Sequence, residues 1–193
     1  IKQLAKLMKS KKERDTYGLF VAEGARLCFD IAESGLNVVK TFITAEAMHK
    51  YPMQAKGLVE VSKEVFEIPQ SLGESIANTK NPQGIFAVIE KPKNNCGEIH
   101  PGGYYVILDN VQDPGNVGTL LRTALAFGIN GVFLTGDCAD IYSPKVLRGS
   151  MGAVAKLQIF TNRDFNLAVS EIHSAGLKVY AAYLGETSQK LTD

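Results

Sequence analysis

Two stretches of this sequence carry polar residues at spacings that could do chemistry. In the first, residues 108–128 (LDNVQDPGNVGTLLRTALAFG), an apolar strand pattern runs into a polar turn and then into a helix pattern. Asp113 is suited to cap that helix, and Pro114 to open it, because the N–H it lacks would have had no partner there. Gly128 closes the helix. Within it Gly115, Gly118 and Arg122 fall at i, i+3 and i+7, on one stripe, while Leu120, Leu121, Ala124 and Phe127 spread over the remainder. A glycine inside a helix costs about 1 kcal/mol relative to alanine, so the bare stripe implies that another backbone or a ligand comes close. Arg122, charged at any pH and able to make a two-pronged contact, stands at the end of the stripe, where phosphate or carboxylate is its natural partner. The plainer readings are a solvated charge or an ion pair for Arg122, and a turn residue for Asn116.

The second stretch, residues 140–160 (DIYSPKVLRGSMGAVAKLQIF), repeats the logic. Ser143 can cap, Pro144 opens a helix expected to reach about Ala155, and Lys145 and Arg148 lie one turn apart on one face. Gly149, Gly152 and Ala153 form another small-residue stripe, which fits close helix packing, at a dimer interface for example, at least as well as ligand contact. Neither stretch is a phosphate-binding Gly-Lys-Ser/Thr loop or a G-x-G-x-x-G dinucleotide fingerprint.

The elements that must position these residues divide into two parts. From Tyr104 onward strands (YYVILD, GVFLT, LQIF, LKVYAAYL) alternate with helices, the pattern of a parallel sheet covered on both faces. A strand ending at Asp109 delivers the first polar turn to the carboxyl edge of that sheet, where α/β folds bind ligands. Before it, residues 92–103 combine prolines, glycines and asparagines and read as a linker between domains at 1–91 and 104–193. The first domain opens with an amphipathic helix whose basic end holds Lys9, Lys11, Lys12 and Arg14. Strands LFVAEG, VVKTFIT, GLVEVS and GIFAVIE follow, with helices ARLCFDIAESG and AEAMHKY between them and a helical piece stopped by Pro69.

Composition narrows the function classes. With 21 Lys and Arg against 20 Asp and Glu, the 193-residue chain is no polybasic nucleic-acid binder, so any such contact is local. Cys28, Cys96 and Cys138 are odd in number and form no CxxC or His/Cys cluster, which argues against a disulfide framework and a metal site and fits a reduced, cytoplasmic setting. His49, His100 and His173 are isolated, and no catalytic role is assigned to them. No apolar run approaches the ~20 residues of a membrane span. The sequence starts at Ile1, not at a methionine, so its true N-terminus is expected to lie further upstream.

The two polar stretches resemble the first and second signature motifs of the SpoU (TrmH-like) family of RNA ribose 2′-O-methyltransferases, in the SPOUT class. NPQGIFAVIEKP resembles the end of that family's N-terminal substrate-binding domain, whose fold is like ribosomal protein L30e. The resemblance implies an α/β protein: an N-terminal L30e-like domain plus a C-terminal parallel-sheet SPOUT domain with an α/β knot. It implies S-adenosylmethionine as methyl donor, ribosomal or transfer RNA as partner, and a homodimer. By matching positions it implies Asn116 and Arg122 as catalytic residues, with Arg148 and Ser150 contributing from the second motif. Lys145 and the basic group Lys9, Lys11, Lys12 and Arg14 are the expected RNA contacts. The family's third motif and its Gly-Asn-Glu-Gly loop have no counterpart in these residues, so the SPOUT domain is expected to be incomplete at its C-terminus. Of the cofactor site only the strand end around Ala182 and Tyr183 is expected. Glu23 and Arg26 resemble the start of the substrate domain and are read as structural. Against the methyltransferase stands a non-catalytic RNA-binding protein built on the L30e-like domain.

Overall fold

The computed structural model describes residues 1–92, 97–182 and 185. Two sheets organise it. The first has four strands, β1 (Leu19–Glu23), β2 (Val38–Ile43), β3 (Glu64–Glu67) and β4 (Ile85–Glu90), in the order β1-β4-β2-β3. β4 is antiparallel to both its neighbours, and β2 and β3 are parallel. The second sheet has β5 (Tyr105–Asp109), β6 (Gly131–Thr135) and β7 (Gln158–Arg163), all parallel and in that order.

Side chains alternate across each strand, and helices cover both faces of each sheet except at the exposed edge strand β3. In the first sheet Val21, Phe42, Phe86 and Val88 pack against Leu4, Leu7 and Met8 of α1 (Lys2–Lys9). The opposite face, with Ala22, Ile85, Ala87 and Ile89, meets α3 (Ala25–Glu33) and α5 (Pro52–Val61). In the second sheet Leu108, Val132, Leu134 and Ile159 face α7 (Pro114–Ala126) and α8 (Pro144–Ser150), while Phe133 and Phe160 face α9 (Phe165–Ser174). One continuous buried cluster joins the Ala22, Ile85, Ala87 and Ile89 face of the first sheet to the Leu108, Val132, Leu134 and Ile159 face of the second, so the two units share a core.

The remaining helices are α2 (Lys11–Tyr17), α4 (Ala45–Lys50) and α6 (Gln70–Ile76). Arg14 of α2 ties the two units together. Its Nε and Nη2 donate to Asp140 Oδ2 at 2.9 and 2.6 Å, and Nη1 donates to the Leu7 carbonyl at 2.5 Å. Nearby, the rings of Phe20 and Tyr142 meet with centroids 4.8 Å apart.

Several sequence expectations change. Residues 57–61, expected as a strand, continue α5: Ala55 and Leu58 point into the core at helical spacing, while Val59 and Val61 are exposed. Pro69 precedes α6 instead of ending a helix, and the segment before it is the exposed strand β3. The basic N-terminal helix is two helices, broken at Ser10, whose hydroxyl accepts the Glu13 N–H and caps α2. α8 stops at Ser150, five residues short of Ala155, because Met151 and Gly152 both adopt left-handed backbone (φ 48° and 85°), and only a 3-10 turn (Ala153–Ala155) follows. Of the fourth parallel strand expected at 177–184, residues 177–182 pair with no strand among the described residues and are mostly exposed. Tyr183 lies outside the described residues, as do residues 93–96 of the expected linker.

Candidate active site

β5 and β6 end side by side, and their loops are stitched together at the carboxyl edge of the second sheet. Thr135 donates its hydroxyl to Asp109 Oδ1 at 2.6 Å, and the Asp137 N–H donates to Asn110 Oδ1 at 2.9 Å. Asn110 takes the left-handed conformation at φ 54°, which asparagine tolerates better than most residues. Three residues on, Asp113 caps the start of α7, and its Oδ1 accepts the Asn116 N–H at 2.8 Å. That N–H, more than any other group, holds the Asp113 carboxyl below its ordinary value, with the Lys145 ammonium adding to it.

α7 and α8 run side by side, and their starts are linked by Lys145 Nζ, 3.5 Å from Asp113 Oδ2. The bare stripe of α7 faces α8. A methyl group on Gly118 would lie 2.9 Å from the Gly149 Cα and 3.0 Å from the Val146 carbonyl oxygen. The close approach that the two glycines permit is therefore made by a second backbone. The same stripe carries Arg122 to the far end of α8, where Nη1 lies 3.3 Å from the Met151 sulfur. Met151 reaches it from a left-handed backbone, uncommon for a residue with a side chain and worth roughly 1 kcal/mol of strain. Asn116 and Arg122 are both exposed, on the solvent side of this helix pair.

Arg148, in the last turn of α8, reaches across to the first unit. Its Nη2 donates to Asn78 Oδ1 at 3.2 Å, and Nη1 lies 3.7 Å from Glu23 Oε2. Lys145 is exposed, as are Lys9, Lys11 and Lys12. Two expected RNA contacts are not available in this arrangement. Arg14 is 4% exposed, with its donors spent on Asp140 and backbone carbonyls, and Ser150 is buried, its hydroxyl donating to the Leu147 carbonyl at 2.9 Å. Residue type and motif position single both of them out, and neither signal carries burial. Asn78 and Thr79 carry no sequence signal, since they lie in a polar loop and gain meaning only from the Glu23 and Arg148 side chains they meet.

Buried groups near the site are chemically quiet. Burial pushes the Cys28 thiol up to about 12 and the Tyr142 hydroxyl to about 12, and it also raises the half-buried Cys138 thiol, so none supplies an anion near neutral pH. Among the described residues no group of His, Cys, Asp and Glu could hold a metal ion.

A mixed-sheet unit packed on a parallel-sheet unit, with exposed Asn and Arg on the first helix after a carboxyl-edge turn, defines a SpoU-type methylase of the SPOUT class. The chain belongs to the SpoU rRNA methylase family: residues 103–193 match that family's model, and residues 1–87 match the MRM3-like substrate binding domain. It is 32% identical to the mitochondrial rRNA methyltransferase 3 of Xenopus tropicalis, over 100% of this chain and 50% of that protein. It is 29% identical to the 23S rRNA (guanosine(2553)-2′-O)-methyltransferase RlmP of Bacillus subtilis, over 93% of this chain and 68% of that one. The AdoMet-bound rRNA methyltransferase of Sinorhizobium meliloti superposes with a TM-score of 0.76 at 30% identity, over 90% of this chain and 65% of that one. AviRb of Streptomyces viridochromogenes, in complex with AdoMet, shares the fold with a TM-score of 0.78 at 22% identity. The chain spans about half the length of the mitochondrial relatives it matches.

Proposed function

We propose that this chain carries the RNA-binding unit and the catalytic helix pair of an S-adenosylmethionine-dependent methyltransferase acting on a ribose 2′-hydroxyl of ribosomal RNA. Relatives named for rRNA methylation, one of them for 2′-O-methylation of a guanosine, support the reading. The observation that carries it is Arg122, exposed on the first helix after the carboxyl-edge turn of the parallel sheet and held at the far end of α8 by Met151.

When bound, S-adenosylmethionine supplies an electrophilic methyl group. Among the described residues the fit to such a group is incomplete: residues 179–182, which include Ala182, are exposed and form no enclosed site. The side chains of the α7–α8 pair act instead on the RNA. A ribose 2′-hydroxyl is a weak acid and must be held in line and relieved of its proton. The guanidinium of Arg122 has donors and no acceptor, so it cannot be the base. It binds the phosphate next to the target ribose and stabilises negative charge developing on the oxygen, and Asn116, one and a half turns earlier, orients the hydroxyl. Arg148 and Lys145, with Lys9, Lys11 and Lys12, extend the phosphate contacts.

A homodimer and a reducing compartment such as the cytoplasm complete the proposal. The dimer is supported by Leu120 and Phe127, which fall at i and i+7 on the outer side of α7 and are 39% and 82% exposed. The compartment is supported by the free thiols Cys28 and Cys138. No helix among the described residues is long and apolar enough to cross a membrane.

The deciding experiment is transfer of labelled methyl groups to rRNA by the complete protein, parent against Arg122→Ala and Asn116→Ala. Loss of a preorganised donor lowers turnover by about a hundredfold or more. Turnover of Arg122→Ala at the parental rate refutes the assignment, and a parent that binds RNA but gives no calorimetric signal with S-adenosylmethionine is the non-catalytic RNA binder.

A further inference from the structure

Strand β1 ends on a carboxylate that reaches beyond its own sheet. The Glu23 side chain is 4% exposed, a position at which a charge must find partners. Its Oε2 accepts the Asn78 N–H at 3.0 Å, and its Oε1 accepts the Thr79 hydroxyl at 2.6 Å. Both partners come from the turn after α6, within the same unit. The third neighbour comes from the other unit: Arg148 Nη1, at the end of α8, 3.7 Å from Oε2.

Asn78 closes the cluster, because the residue that donates to Glu23 through its backbone accepts from Arg148 Nη2 through its side chain at 3.2 Å. The guanidinium is thus gripped at both terminal nitrogens. Nη1 is buried with no hydrogen bond, and its compensation among the described residues is the Glu23 charge. Even so, 32% of the Arg148 side chain is exposed, and since Nη1 is buried that exposure belongs to the rest of it. An interface ion pair made for cohesion alone has no need to leave a third of its arginine in water. Arg14 and Asp140, which also join the two units, are 4% and 12% exposed.

We propose that Glu23, clamped by Asn78 and Thr79, is a positioning residue that presets Arg148 for an RNA phosphate, so that the substrate-binding unit orients a cation of the methylase unit. The idea rests on the RNA-binding role given to Arg148 above. The physical gain is preorganisation: an arginine already ordered in the free protein loses less freedom when the phosphate arrives. Placement at the C-terminal turn of α8 suits a cation, and Met151, three residues on, carries the contact to Arg122.

The test uses the complete protein with parent, Glu23→Gln, Arg148→Ala and the double variant, measuring rRNA Kd at two salt concentrations together with KM and kcat for methylation. Glutamine is isosteric and keeps an acceptor for Thr79, so the change removes the charge that faces Arg148 together with the acceptor of the Asn78 N–H. The expected result is a rise of roughly tenfold in Kd and KM for Glu23→Gln with kcat held, a similar rise for Arg148→Ala, and no further rise in the double variant. A Glu23→Gln protein with parental Kd beside a weakened Arg148→Ala overturns the proposal, as does full additivity of the two. If Arg148→Ala itself binds RNA like the parent, the RNA role of Arg148 and the proposal fall together. If the parent binds RNA without methylating it, the catalytic reading fails while the Kd comparison still decides the role of Glu23.

Discussion

Replacing Gly118 by alanine tests whether the bare stripe of α7 exists for the backbone of α8. The added Cβ would lie 2.9 Å from the Gly149 Cα, 3.0 Å from its carbonyl carbon and 3.0 Å from the Val146 oxygen. All three are backbone atoms of α8, so no rotamer change relieves the overlap and the helix itself must shift. Overpacking of this kind costs about 1–3 kcal/mol. Alanine returns about 1 kcal/mol through its helix propensity, leaving a net loss of up to about 2 kcal/mol. For a chain of 193 residues each kcal/mol moves Tm by about 2–4 °C, so a fall of up to roughly 8 °C is expected. Gly149→Ala is the internal control, because its Cβ would sit 3.4 Å from the Gly118 Cα, an ordinary contact, and 3.8 Å from the Gly118 carbonyl carbon. There propensity dominates and Tm holds or rises. Calorimetric melting of the two variants side by side is the assay. The reasoning fails if Gly118→Ala melts above the parent, or if it melts no lower than Gly149→Ala.

Other perturbations test the remaining joints of the structure. Arg14→Ala leaves the largely buried Asp140 carboxylate without its partner and is expected to cost about 3–5 kcal/mol in urea denaturation. The same variant should leave the salt dependence of RNA binding unchanged, whereas Lys11→Glu or Lys12→Glu, at exposed positions, should make it shallower. Asp113→Ala removes the cap of α7 and should lower Tm, read by thermal melting. The Cys28 thiol, raised from 9.0 to about 12 by burial, keeps its proton in the folded chain while the unfolded chain gives it up above pH 9. A raised folded value means that stability is fully present below pH 9 and is lost as pH climbs toward 12. Denaturation curves across that range should flatten in Cys28→Ala, and an unchanged slope would count against the thiol as the source.

How much of the fold is legible in the sequence depends on whether local signals or distant partners decide. β5, α7, β6 and α9 are readable because alternation, capping residues and closing glycines lie within a few positions of one another. The C-terminal half of α5 reads as a strand because Leu58, Val59 and Val61 form a short apolar run with two β-branched valines. Only packing of Ala55 and Leu58 against the sheet chooses the helical period. The end of α8 escapes sequence reading for the opposite reason: Met151 has no local preference for left-handed backbone, and Gly152 fits because its bare Cα sits where a Cβ would be 3.2 Å from Asp30 Cβ, in the other unit.

The site divides along the same line. The sequence by itself determined that a capped helix would begin at Asp113, that Gly115, Gly118 and Arg122 would share a stripe, and that something would press against it, because all of this follows from residue types at helical spacing. Tertiary structure alone decided that α8 is what presses there, that Met151 receives Arg122, that Arg14 and Ser150 are buried, and that Glu23 and Asn78 grip Arg148. These contacts span many residues along the chain, and burial, which sets whether a charge is a tether or a ligand contact, is a property of the packed molecule and not of any stretch of it.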